Sequence, residues 1–153
     1  MEFSDLLRPE SIVANLKASS KKQVLQQLAS LAAEISGEDE REIFDALLER
    51  ERLGTTGVGQ GIAIPHAKLT GLKHLFALFA RLEHPVEFDS IDEDPVDLVF
   101  VLLAPEAAGA DHLKALSRVS RMLRDEDMCA KLRGSEGTDA LYALLTGSIA
   151  QAA

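Results

Sequence analysis

The residues best suited to chemistry crowd into one stretch of this 153-residue chain, Gly54-Thr55-Thr56-Gly57-Val58-Gly59-Gln60-Gly61-Ile62-Ala63-Ile64-Pro65-His66. Pro65 fixes its own φ, lacks an N–H and biases Ile64 toward an extended conformation, so an unusually constrained backbone delivers His66. The glycines let another backbone or a bulky anion come close, and Thr55 and Thr56 put hydroxyl donors nearby. Two nucleotide-binding explanations fail on spacing. A P-loop ends in Gly-Lys-Ser/Thr before a helix, whereas this segment ends in Pro65-His66-Ala67-Lys68; a dinucleotide fingerprint needs G-x-G-x-x-G after a strand, and here G-x-G-x-G follows a helix. The plain alternative is that the glycines make tight turns, Ile62, Ala63 and Ile64 form a short strand, and His66 merely ends it.

His112 directly follows Asp111, which reads as the cap of a helix, so it sits in the helix's first turn. It is either an exposed helix-start residue or part of an anion site. A helix N-terminus offers unpaired N–H groups and the positive dipole end, which welcome a phosphate and keep an imidazole neutral. Arg50 could add a fixed positive charge, although an arginine on a charged helix is usually solvated. His74 and His84 read as surface residues, and Cys129 as packing rather than a nucleophile.

Elements must hold these groups in place. Ser20 with Gln23 reads as a capping box, followed by Val24, Leu28, Leu31 and Ile35 on one helical face and closed by Gly37. Asp39 with Glu42 opens a second helix carrying Phe44, Leu47 and Leu48; it ends near Gly54, placing Arg50 in its last turn. Residues 73–83 and 96–104 contain apolar runs that read as strands buried on both faces. A third long helix from Asp111 turns Leu116, Val119 and Leu123 inward, and shorter helices cover residues 126–133 and 138–145. Buried strands need helices over both faces, so the expected fold is an α/β sandwich around a central sheet.

Composition sets outer limits. Sixteen Lys plus Arg against 25 Asp plus Glu give a formal net charge of −9, while 46% hydrophobic and 27% charged residues are ordinary for a globular chain. No repeat or linker divides the sequence, so residues 1–153 are expected to form a single domain. The acidic balance, no Trp and the single Tyr142 argue against nucleic acid. The longest apolar run, residues 98–104, falls far short of the ~18 residues of a membrane span, so no membrane insertion is expected. One cysteine and no export-like start at residues 1–5 point to the cytoplasm.

The run Leu48-Glu49-Arg50-Glu51-Arg52-Leu53 continuing through residues 54–66 closely resembles the active-site motif of the enzyme IIA domains of the bacterial phosphotransferase system, the mannitol/fructose class (type 2). Within that class it is most like the free-standing nitrogen-regulatory branch. The likeness continues through Arg81-Leu82, Phe88-Asp89-Ser90-Ile91-Asp92, Pro95-Val96-Asp97-Leu98 and the helix at His112, nearly the whole chain. It implies a central mixed β-sheet flanked by helices. It also implies that His66 accepts a phosphoryl group from a histidine phosphocarrier protein, that His112 assists, and that Arg50 is the family's arginine sixteen residues earlier. Ala67 stands where many relatives have glycine.

The chemistry fits that resemblance. An imidazole with a pKa of ~6.5 is mostly neutral at pH 7 and keeps a free nitrogen lone pair. Transfer between two imidazoles spreads charge over three phosphoryl oxygens, so positioning and charge stabilisation dominate. No cofactor or metal is required. Onward transfer to a IIB protein and phosphorylation-dependent binding to a transporter or sensor kinase both remain open; the absence of a fused IIB or permease favours the regulator. A metal-dependent hydrolase using His66 and His112 is a weaker third reading. Seven acidic residues between Leu82 and Asp97, with no Lys or Arg among them, are either a solvated loop or a device that steers a basic partner.

Overall fold

The computed structural model describes residues 6–152, and only the backbone of 148–152; residues 1–5, read above for an export signal, lie outside it. Helix α1 (Lys21–Ser36) begins where Ser20 accepts the Gln23 N–H, and Gly37 closes it. The capping box is only half formed, because the Gln23 side chain accepts from the Ser19 N–H and hydroxyl instead of returning to Ser20. Asp39 caps α2 (Glu40–Leu53), which buries Ile43 and Leu47.

Three expectations shift. A short strand the sequence did not announce, β1 (Ile12–Leu16), precedes α1. Helix α3 (Ala110–Leu123) is capped at Gly109 with no side-chain hydrogen bond, so Asp111 lies inside the first turn and is not the cap. The last helix, α5 (Thr138–Ala152), runs well beyond residue 145, after α4 (Glu126–Gly134).

The glycine-rich stretch forms β2 (Gly57–Gly59), β3 (Ile62–Ala63) and β4 (His66–Leu69), followed by the long strands β5 (Phe76–Val86) and β6 (Val96–Pro105). The six-stranded mixed sheet runs β1-β5-β6-β3-β2, with β4 also beside β6. β5 and β6 pair antiparallel, whereas β3 and β4 both run parallel to β6. Ile62 faces Leu98 and His66 faces Leu102, so the chain keeps one register along β6 across the break at Ile64-Pro65.

Both sheet faces are covered, as expected of strands with apolar runs. One core gathers Phe79, Phe100 and Leu102 against Ala115 and Val119 of α3, Leu132 of α4 and Leu141 of α5. The other packs Leu78, Val99 and Val101 against Val24 and Leu28 of α1 and Ile43 and Leu47 of α2. Among the described residues, no helix is long and apolar enough to cross a membrane.

Candidate functional site

His66 opens β4; it does not end β3, contrary to the plain alternative. The ordered register on β6 places it, and Pro65 still contributes a ladder bond through its carbonyl, which accepts the Leu102 N–H at 3.0 Å. Both ring nitrogens are engaged. Nδ1 lies 2.9 Å from the Ile64 carbonyl, which can only accept, so the proton belongs on Nδ1. Nε2 then carries the lone pair and receives the Arg50 Nε–H at 3.2 Å. Arg50 is anchored in turn by Nη1, which donates to the Gly54 carbonyl at 2.8 Å.

His112 is brought to the same place from the opposite sheet face. Its ring centre lies 5.8 Å from that of His66, with the planes tilted by 55°. At 6% exposure it is not a solvated helix-start residue, and its buried Nδ1 has no hydrogen-bond partner among the described residues. Both histidines are held below the ordinary imidazole pKa. Burial is the main cause for each. For His66 the Ile64 hydrogen bond and Glu51 pull upward while Arg50 pulls down; for His112 the charges of His66 and Lys68 add to the lowering. Desolvation, rather than the helix dipole expected at His112, is the leading cause.

A pocket of about 230 Å³ opens beside His66, lined by Arg50, Thr55, Thr56, Val58, Ile64, Leu116 and Ser120. The threonine hydroxyls are not spare donors, contrary to expectation. Thr55 donates to the Phe88 carbonyl and accepts from the Gly57 N–H, and Thr56 donates to Glu51. Ser120 is the pocket hydroxyl left over. The glycines also serve the fold more than an anion: Gly57 lies so close to Ser90 that a Cβ would overlap its Oγ. Gly61, at φ 81°, sits between Arg133 and Asp97, which form a bidentate pair.

Sequence reasoning missed Glu51, Lys68 and Ser120. Glu51 is a buried carboxylate in a run of alternating charges that looks solvated, and Lys68 shares the His66 side of β4 by strand alternation. His74 and His84 are exposed, as read, although His84 lies inside β5. Cys129 is buried. Among the described residues, no three His, Cys, Asp or Glu side chains gather to hold a metal.

Residues 5–148 match the family model described as "Phosphoenolpyruvate-dependent sugar phosphotransferase system, EIIA 2". The chain belongs to this EIIA type 2 family. It is 58% identical over 145 residues to a nitrogen regulatory protein of Bradyrhizobium diazoefficiens, covering 95% of each chain. It is 41% identical over 145 residues to a fructose-specific EIIA component of the phosphotransferase system from Haloferax volcanii, covering 94% of each. The crystal structure of the nitrogen regulatory protein IIA-Ntr from Neisseria meningitidis superimposes with a TM-score of 0.89 at 34% identity, over 93% of this chain and 97% of that one. The mixed sheet with helices on both faces is therefore the EIIA fold, as the sequence resemblance implied.

Proposed function

We propose that this EIIA chain is a phosphocarrier that takes a phosphoryl group onto Nε2 of His66 from a histidine phosphocarrier protein. The observation that carries this is the pair of hydrogen bonds on one ring. A proton committed to Nδ1 by the Ile64 carbonyl leaves the Nε2 lone pair facing Arg50 and the pocket. Transfer breaks the donor's N–P bond as the Nε2–P bond forms. Positive charge then develops on the His66 ring, where the Nδ1–H donating to Ile64 stabilises it. Arg50 moves its N–H from Nε2 to a phosphoryl oxygen, and His112, whose buried Nδ1 has no partner among the described residues, and the Ser120 hydroxyl are further donors beside the ring.

The donor is a protein, and the surface has the character for one. Exposed apolar side chains flank the catalytic residues: Leu53 (82% exposed) three residues after Arg50, Val58 (50%) in the pocket wall, and Leu113 (68%) next to His112. We assign residues 1–153 to a single EIIA domain acting in the cytoplasm, where phosphoenolpyruvate is made. Its main role is regulatory, linked to nitrogen and potassium balance: phosphorylation adds about −1.5 to −2 charges at one surface point and changes which transporter or sensor kinase binds. The nitrogen regulatory relatives support that role; the fructose-specific relative favours onward transfer to a IIB protein as the second reading.

The test is incubation with phosphoenolpyruvate, enzyme I and the histidine phosphocarrier, followed by acid lability and nitrogen-coupled phosphorus NMR. An adduct on His66 Nε2, absent from His66→Ala, is expected; equal labelling of His66→Ala overturns the assignment. Affinity capture with each phosphorylation state separates the two roles, since recovery of a IIB protein alone sinks the regulatory one.

A further inference from the structure

We propose that Glu51, clamped by Lys21, is a positioning residue that fixes the ring orientation and tautomer of His66 through Thr56 and Ile64. This rests on the phosphohistidine reading above and deepens it. Glu51 is almost wholly buried, and its carboxylate is saturated from three sides. Lys21 Nζ sits 2.7 Å from Oε2, the Thr56 N–H donates to both oxygens at 3.2 Å, and the Thr56 hydroxyl donates to Oε1. A desolvated ion pair of this kind is a poor device for stability alone, since apolar packing does that as well. What it does here is hold Thr56.

The rest of the chain of contacts runs straight to the ring. The Thr56 carbonyl accepts the Ile64 N–H at 3.0 Å, and the Ile64 carbonyl accepts from His66 Nδ1 at 2.9 Å. Each link crosses a Cα, so what is transmitted is position rather than bond polarisation. The Ile64 carbonyl belongs to a prolyl peptide with no N–H of its own, so the Ile64 N–H bond to Thr56 is a principal restraint on where that oxygen points. That restraint has work to do, because a free neutral histidine prefers its proton on Nε2, the nitrogen that must stay bare to accept phosphorus.

Arg50 and Glu51 are consecutive in the last turn of α2, and about 100° of helical rotation separates their side chains. One reaches His66 Nε2 directly. The other governs Nδ1 through the loop below it, so a single helical turn controls both nitrogens. Lys21 extends the clamp to the acidic connection, with Nζ 3.4 Å from the Phe88 carbonyl, 3.8 Å from the Asp89 carboxylate and 5.4 Å from the Phe88 ring centre.

Long-range proton–nitrogen spectra of histidine-labelled protein at pH 8 read the tautomer without any phosphoryl donor. The parent is expected to show His66 with Nδ1 protonated, and E51A to show a mixture in which Nε2–H appears. Glu51→Gln, whose amide oxygen still accepts from Thr56, should stay near the parent. Phosphoryl acceptance by E51A should slow about tenfold with the KM for the donor protein unchanged, and Glu51→Gln should recover most of the rate. Folded E51A with a parent-like tautomer and rate overturns the proposal. If E51A does not fold, Lys21→Met/Glu51→Met decides: it replaces the buried ion pair by apolar side chains of similar size and leaves Thr56 no carboxylate, so a parent-like tautomer there overturns the proposal equally. A tautomer shift in E51A alongside a parent that takes no phosphoryl group would uphold the positioning role and reject the phosphocarrier function instead.

Discussion

Arg50 holds His66 Nε2 and the Gly54 carbonyl at once through two different nitrogens, which the single ammonium of a lysine cannot do. Arg50→Lys should therefore slow phosphoryl acceptance by roughly tenfold to a hundredfold, or about 1.4–2.7 kcal/mol, while unfolding in urea changes little. A variant that labels at the parent rate would remove Arg50 from the site. Burial of His66 and His112 sets a second expectation, on pH. Unfolded histidines bind a proton near 6.5, whereas the folded rings bind it only at lower pH. The unfolded state thus takes up protons first, and the stability held above about pH 6.5 is lost as pH falls through the lower folded values. Urea unfolding from pH 7.5 to 5 should show this decline, and the double variant His66→Ala/His112→Ala should flatten it; an unchanged slope would mean the rings titrate normally. Acceptance of the phosphoryl group should likewise persist below pH 6.5 before Nε2 protonates. The placement of His66 and Arg50 was legible in the sequence, since Pro65 and the glycines mark the one and the helix end locates the other, but only the family resemblance drew Arg50 out of a charged helix surface. Glu51 was not, since its neighbours Glu49, Arg50 and Arg52 make it look like one more solvated charge; only its burial and the Thr56 contacts distinguish it.

Strand β2 approaches the connection between β5 and β6 most tightly where Gly57 lies against Ser90. A Cβ on residue 57 would overlap Ser90 Oγ and crowd the Ser90 and Phe88 Cβ atoms at 3.2 and 3.3 Å. Ser90 is buried, and among the described residues its hydroxyl has no hydrogen-bond partner. Gly57→Ala should cost about 1–3 kcal/mol. Ser90→Ala should be near neutral alone, and combined with Gly57→Ala it should recover about 1 kcal/mol in a double-mutant cycle of urea unfolding. Strict additivity would show that the loop moves away freely. The elements readable in advance were those with a period, a cap or a long apolar run: α1, α2, the body of α3, α4, the first half of α5 and the two long strands. Strand β1 was missed because its five residues, partly buried on both sides, carry no alternation. The start of α3 was misplaced because Gly109 caps without a side chain, and an aspartate two residues later imitates the usual signal. β4 was invisible because Pro65 reads as a stop, yet the β6 register continues through it.

The charge of −9 is distributed by the fold in a way that its sum conceals. Of the acidic residues between Leu82 and Asp97, Asp97 pairs with Arg133, Asp92 accepts the Gln60 and Asp94 N–H groups, and Asp89 approaches Lys21. Those carboxylates fasten the connection to β2 and α1, so the segment is not simply a solvated loop. Glu87, Glu93 and Asp94 are exposed and make no side-chain ion pair among the described residues. Because Thr55 is bonded to Phe88 and Gln60 to Asp92, this segment is tied directly to the strand that walls the His66 pocket. Its charge therefore stands beside the His66 pocket, and on the proposed function a donor with a basic face docking there would be drawn to it over about a Debye length, ~8 Å at physiological salt. Neutralising the three as Glu87→Gln/Glu93→Gln/Asp94→Asn should leave thermal unfolding nearly unchanged, because no ion pair among the described residues is lost and the amide of an asparagine at 94 can still meet Asp92. Donor association should slow, and its fall with rising salt should become shallower, while the rate of transfer within the docked complex stays the same. Stopped-flow association measured across an ionic-strength series checks this: parallel salt slopes for the parent and the triple variant would mean that the excess charge plays no part in bringing the donor in.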